Sequence, residues 1–135
     1  MSGELNEVIE NEIVSLRGLL TALEKQHKYI LDNAVFKMEG VIDEIKKSNI
    51  EVAKWEMKRR DITKGEPMSK VVEQFNDKRL DENYRQAKKL VEELKMQKDT
   101  NEMLIKQGLS YNMKMLQMMN PDRRAKTYSS YGKMR

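Results

Sequence analysis

Twenty-two carboxylates and a single imidazole, His27, carry the acid–base capacity of this 135-residue chain, which has no cysteine. The absence of thiols excludes disulfides, zinc–thiolate sites and thiol nucleophiles. One histidine cannot build a His-based metal site. The carboxylates stand at helical spacings beside lysines, as in Glu92-Glu93 followed by Lys95, which reads as a solvated helix face and not an acid–base pair. The six glycines are scattered singly, so no glycine-rich loop can cradle a phosphate. His27 falls near the end of an apolar row and reads as a packing or surface residue. No catalytic residue, metal or cofactor is predicted, and the expected activity is binding, without catalysis.

Two other groupings bear on binding. Lys54-Trp55-Glu56-Met57-Lys58-Arg59-Arg60 is basic and aromatic, as a nucleic-acid patch would be. Trp55 and Arg59 both fall on a helical seam, however, so the ring is expected to be buried. The Arg59 stem is expected to pack while its guanidinium reaches solvent. Seven of the eleven methionines follow residue 95: Met96, Met103, Met113, Met115, Met118, Met119 and Met134. Methionine is unbranched and polarisable, which suits a surface that adapts to apolar partners.

The elements that position these groups read as helices. With only two prolines, and with Lys, Glu, Leu, Met and Gln abundant, long helices are favoured. Leu5, Val8, Ile9, Ile13, Leu16, Leu19, Leu20, Leu23 and Ile30 recur at steps of three and four, which predicts a first helix over about 3–31 with Ser2 as N-cap. Asp32-Asn33 breaks the pattern. A second helix over about 33–62 carries the row Met38, Val41, Ile45, Ser48, Val52, Trp55, Arg59, Ile62. At ~1.5 Å per residue each helix is roughly 40–45 Å long, and the matching lengths suggest an antiparallel hairpin. Gly65 and Pro67 punctuate the chain before a short helix at 68–75, with Glu66 as cap and Pro67 in the first turn.

A third long helix is expected over about 80–119, with the row Leu80, Tyr84, Ala87, Val91, Leu94, Lys98, Asn101, Ile105, Gly108, Asn112, Met115, Met119. The second half of that row is poor in apolar residues. There Leu104, Leu109, Tyr111, Met113, Leu116 and Met118 point off any single stripe, leaving more apolar directions than a hairpin covers. That surface is a candidate dock for another helix, or for a second copy in a homodimer. Asn120-Pro121 ends the helix, and residues 121–135, polar, basic and aperiodic, are expected to be a flexible tail. The fold expected is therefore all-α, an antiparallel hairpin plus a longer third helix in a coiled-coil-like three-helix bundle. It forms one domain over 1–120, with the tail at 121–135.

Charge is uneven. Residues 1–24 hold five Glu against Arg17, net −4, while residues 120–135 hold five bases against Asp122, net +4. No continuous basic stripe points to nucleic acid. No run of ~18 apolar residues could span a membrane. The acidic start, MSGELNEVIENE, lacks a basic-then-apolar leader pattern, so a cytoplasmic protein is expected.

With the helices placed, the chain resembles the FlgN family of bacterial flagellar export chaperones over nearly its whole length. Leu16-Arg17-Gly18-Leu19-Leu20-Thr21-Ala22-Leu23-Glu24-Lys25 is similar to that family's opening leucine-rich helix. Lys46-Lys47 and the charged stretch Glu56–Arg60 follow in the order expected of the family. Asn101-Glu102-Met103-Leu104-Ile105 resembles the Asn-then-Leu-Leu region of its last helix. Thr127-Tyr128-Ser129-Ser130-Tyr131-Gly132-Lys133 resembles its closing Thr-Tyr-x-x-x-Gly-basic signature. The methionine-rich last helix departs from the family pattern.

The resemblance implies a cytosolic chaperone for the hook–filament junction proteins FlgK and FlgL. It would bind their amphipathic C-terminal segments, prevent premature assembly and deliver them to the export gate protein FlhA. Carried onto this chain, it implies a substrate-binding helix with Asn101, Leu104, Ile105, Leu109, Met113, Leu116 and Met119. Tyr128 and Gly132 in the tail would face the gate. The alternatives are a self-associating structural coiled coil and another small secretion chaperone.

Overall fold

A computed structural model describes the backbone of residues 2–119 and the side chains of residues 2–108. Every element in it is a helix: α1 (Ser2–Leu31), α2 (Val35–Thr63), α3 (Met68–Phe75) and α4 (Lys78–Met119). Two compact units divide the chain, residues 1–101 and residues 102–135. In the second unit the described backbone is α4 as far as Met119. The expected tail at 121–135 lies outside the described residues.

The breaks between helices have local causes. Asn33 adopts a left-handed backbone (φ 55°), which asparagine tolerates better than most residues. Its N–H donates to Ile30 O and the Ala34 N–H to Tyr29 O, the paired bonds of a Schellman stop that satisfy the carbonyls closing α1. Lys64 and Gly65, both with positive φ, stop α2 in a similar way, with both N–H groups directed to Arg60 O. Pro67 stands at the N-cap of α3, one position before the first turn expected of it. Its carbonyl accepts the N–H of Lys70 and Val71, and no side chain caps that helix, so Glu66 does not serve as cap. Ser2 likewise lies inside α1 and is not its cap. Asp77 caps α4: its Oδ1 accepts the N–H of Arg79 (2.9 Å) and of Leu80 (3.4 Å), so the helix starts two residues before the expected Leu80.

In the first unit α1 is the central helix. Leu5, Ile9, Ile13, Leu16 and Leu23 of α1 form the buried cluster with Val71 of α3 and Leu80, Leu90 and Leu94 of α4, flanked by Ile45, Val52 and Ile62 of α2. Each such aliphatic side chain stabilises the bundle by about 1.5–3 kcal/mol on burial. Lys25 meets Glu44, and Glu12 meets Arg59, so positions fall along α2 as they rise along α1. Asn6 meets Asn83, and Leu23 meets Asn101, so positions on α4 rise with those on α1.

The inward row of α4 differs from the one the apolar spacing predicts. Leu80, Asn83, Leu90, Leu94 and Asn101 are buried and Gln97 is half-buried, while Val91 and Lys98 are exposed and Tyr84 is half-buried. The true row keeps heptad steps but lies one residue away along part of its length, because three of its members are amides.

Candidate partner-binding surface

Asn101 is the first of the residues assigned to partner binding, and it is spent inside the protein. It is 1% exposed. Its Nδ2 donates to the Leu23 carbonyl (2.8 Å) and to Gln26 Oε1 (2.9 Å), and its Oδ1 accepts from Gln97 Nε2 (3.0 Å). Gln97 Nε2 also lies 2.8 Å from His27 Nδ1, which gives the half-buried imidazole a structural partner. The amide is therefore a buried clasp between α1 and α4. A clasp of this kind fixes register, since a slip would strand several polar groups at once.

A second clasp holds the other end of the same pair of helices. Asn83 Nδ2 donates to Asn6 Oδ1 (2.9 Å) and Glu10 Oε2 (3.0 Å), and Asn6 Nδ2 donates to Asp77 Oδ2 (3.1 Å). Arg79 holds Glu10 in a two-bond fork, Nε to Oε2 (2.8 Å) and Nη2 to Oε1 (2.6 Å). These bonds from Arg79 and Asn83 hold the Glu10 carboxyl down at about 2. Among the described residues, no buried side-chain polar atom lacks a partner.

Between α1 and α2, besides the half-exposed Lys25–Glu44 contact, there is a largely buried ion pair. Arg59 Nε donates to Glu12 Oε1 at 3.1 Å, with side chains 19% and 10% exposed. The guanidinium thus turns inward to a carboxylate and not out to solvent as expected. Burial pushes the Glu12 carboxyl up, and Arg59 only partly opposes that. The pair forms one wall of a groove of about 320 Å³ lined also by Ile9, Leu16, Met68, Tyr84 and Val91. Trp55 is half-buried, and Lys54 and Lys58 Nζ lie 5.1 and 4.5 Å from its ring centroid, two cation–π contacts that the sequence cluster did not reveal.

Exposed apolar side chains on α4 include Met96, 71% exposed, and Met103, seven residues on. Met96 borders a shallow groove with Leu20, Glu24, Glu93, Gln97 and Thr100. Met96 stands among the late methionines that the sequence marks as an adaptable surface, but not among the residues assigned to partner binding. In the second unit Leu104 and Ile105 are half-buried. Leu109, Met113, Leu116 and Met119 stand on α4, and their side chains lie outside the described residues, as do Tyr128 and Gly132 entirely. No group of three or more His, Asp or Glu converges for a metal, and no helix is long and apolar enough to cross a membrane, among the described residues.

The described residues form an all-helical bundle held by amide clasps, with methionines exposed on its last helix. The chain belongs to the FlgN family: the family model described as FlgN protein matches residues 1–135, and that family is one of chaperones in flagellar biogenesis. No curated protein and no solved structure matches the chain.

Proposed function

We propose that this chain is a cytoplasmic chaperone of flagellar export that holds the C-terminal helical segment of the junction proteins FlgK and FlgL and passes them to the export gate protein FlhA. The observation that carries this reading is the family match over the whole chain. The working form is an antiparallel α1–α2 hairpin with α4 as a longer third helix. The clasp at Asn101 uses up that residue within the bundle, so cargo contact falls to Leu104, Ile105, Leu109, Met113, Leu116 and Met119. A cargo helix laid on that row exchanges solvent for aliphatic contact, and methionines let one surface accept two cargoes of different shape. Tyr128 and Gly132 face the gate. No catalytic step, cofactor or nucleic acid enters.

Calorimetry of the full-length protein against C-terminal peptides of FlgK and FlgL from the same organism tests this reading. Binding with Kd in the micromolar range or tighter is expected, about −8 kcal/mol or stronger. Replacing Leu109→Asp and Leu116→Asp together abolishes it while circular dichroism stays helical. Heat absent with both peptides sinks the reading, and loss of helicity in the double variant makes the two leucines core. Retention of binding by a chain ending at residue 120 leaves the tail free for the gate.

A further inference from the structure

The outward face of α1 carries a row of exposed residues, of which Lys25 meets Glu44 of α2. Glu4 and Glu7 stand at one end, and Lys25 and Lys28 at the other. Between them lie Asn11, Val14, Gly18 and Thr21, and all eight residues are exposed. Their steps alternate three and four residues and read the same from either end. Charge reads oppositely from the two ends, acidic near the start of the helix and basic near its finish.

Such a row is complementary to itself when reversed. Laid antiparallel on a second copy about its midpoint, Glu4 faces Lys28 and Glu7 faces Lys25. A twofold axis repeats both pairs, giving four charge pairs from one row. At the centre Asn11 faces Thr21, and Val14 faces Gly18. We propose that two copies of this chain pair in this way, α1 against α1 in antiparallel register.

Two structural observations support the centre of the contact. Val14 is 66% exposed, an aliphatic side chain left largely open among the described residues. A Cβ added at Gly18 would meet nothing within 4 Å, so packing within the chain does not require glycine there. A glycine inside a helix costs about 1 kcal/mol relative to alanine. A missing Cβ lets a facing helix approach closely, and Val14 of the second copy fills that space. The middle of the row also lies along a shallow groove of about 380 Å³, where Asn11, Val14, Ser15 and Gly18 face Ser48 and Trp55 of α2. The partner's α1 seats in that groove.

The geometry reaches the ends of the row. Glu4 and Lys28 lie about 18 Å from the midpoint at ~1.5 Å per residue. Helices crossing at ~20° are offset sideways by only about 6 Å there, which glutamate and lysine side chains span. Lys25 already touches Glu44 at 3.4 Å with both side chains about half exposed, so the incoming Glu7 makes a three-member charge cluster. The pairing is independent of what α4 binds, since its residues lie on α1 and the α2 flank.

Sedimentation equilibrium of the full-length protein tests it without any cargo. The expected mass rises from monomer to dimer with Kd in the micromolar range, and the dimer weakens by about tenfold from low salt to about 0.5 M. Two charge variants then decide the register: Glu4→Lys with Glu7→Lys makes the row all basic, and Lys25→Glu with Lys28→Glu makes it all acidic. Each alone should be monomeric where the wild type is dimeric, and a 1:1 mixture of the two should recover the dimer. Gly18→Leu should weaken the wild-type dimer at least about tenfold while helicity holds, since a Cβ at that position meets nothing within 4 Å among the described residues. A wild type monomeric at every concentration overturns the pairing. So does a dimer indifferent to these variants, or a mixture that stays monomeric.

Discussion

The two sides of α1 are held by different chemistry. Toward α2 the seam is aliphatic, with one largely buried ion pair, Arg59 to Glu12, and a half-exposed one, Lys25 to Glu44. Toward α4 the aliphatic middle of Leu90 and Leu94 is closed at both ends by amide clasps, Asn83 with Asn6 and Asn101 with Leu23, Gln26 and Gln97. An aliphatic seam tolerates sliding, because one leucine replaces another at similar cost. Buried amides do not, because a shifted register leaves donors and acceptors unmet. In a bundle whose last helix is proposed to carry cargo, the side next to that helix is the one with fixed register.

The sharpest way to break this contrast is on the α2 side. Arg59→Met strands the Glu12 carboxylate in a buried position and should destabilise the protein by about 3 kcal/mol near neutral pH in chemical denaturation. Glu12→Gln with Arg59→Met should recover most of that, because the charge is removed along with its partner. If the single variant loses nothing, the pair is ornamental and the α2 seam rests on aliphatic contact alone.

On the α4 side, Asn101→Ala should cost about 2 kcal/mol, since Gln97 and Gln26 lose a buried partner. Asn83→Ala should cost less, about 1 kcal/mol, because Glu10 keeps its Arg79 fork. Hydrogen exchange sharpens the point: Asn101→Ala should release protection around Leu23 and Gln97 first and leave α2 little changed. Equal loss of protection on both helices would mean that the clasp acts on the whole bundle and not on register.

The same contrast explains what could be read from the sequence. The α2 row Met38, Val41, Ile45, Ser48, Val52, Trp55, Arg59, Ile62 is buried or half-buried at every position, as three-and-four spacing alone indicates. Most of the α1 row is legible for the same reason. The α4 row was not, because adjacent apolar pairs such as Leu90-Val91 and Leu104-Ile105 offer two rows of equal merit. The choice between them is made by Asn83 and Asn101, whose burial depends on amides and carbonyls 75 to 78 residues away in sequence, on α1. Spacing counts Asn101 as a fault in a stripe, whereas the fold makes it a satisfied contact. For the same reason Arg59 looked solvent-bound until Glu12 was placed opposite it. The cargo row rests on resemblance and apolar excess: Asn101 in it is buried, and Leu109, Met113, Leu116 and Met119 lie where side chains are outside the described residues.

The smallest effect expected is also the one with the clearest sign. Glu10 and Glu12 lie two residues apart on α1 but face different helices, and their carboxyls move in opposite directions. Glu10 is held at about 2, below the 4.5 of a free carboxyl, so its bonds with Arg79 and Asn83 contribute stability above pH 4.5. That contribution falls away between pH 4.5 and about 2. Glu10 is 41% exposed, so solvent screening limits it to under about 1 kcal/mol. Glu12 is pushed up by burial, so protonation costs the folded state less than the unfolded one, and acid relieves a strain there. The two act in opposite directions in adjoining windows, Glu12 above pH 4.5 and Glu10 below it. Glu10→Gln should therefore flatten the loss of stability between pH 4.5 and 2, and Glu12→Gln should remove a gain in stability that acid brings on the approach to pH 4.5 from above. Denaturant midpoints measured across both windows decide the matter. Parallel curves for the wild type and both variants would show that neither carboxyl feels its helix neighbour and that the α2 and α4 sides are electrostatically alike.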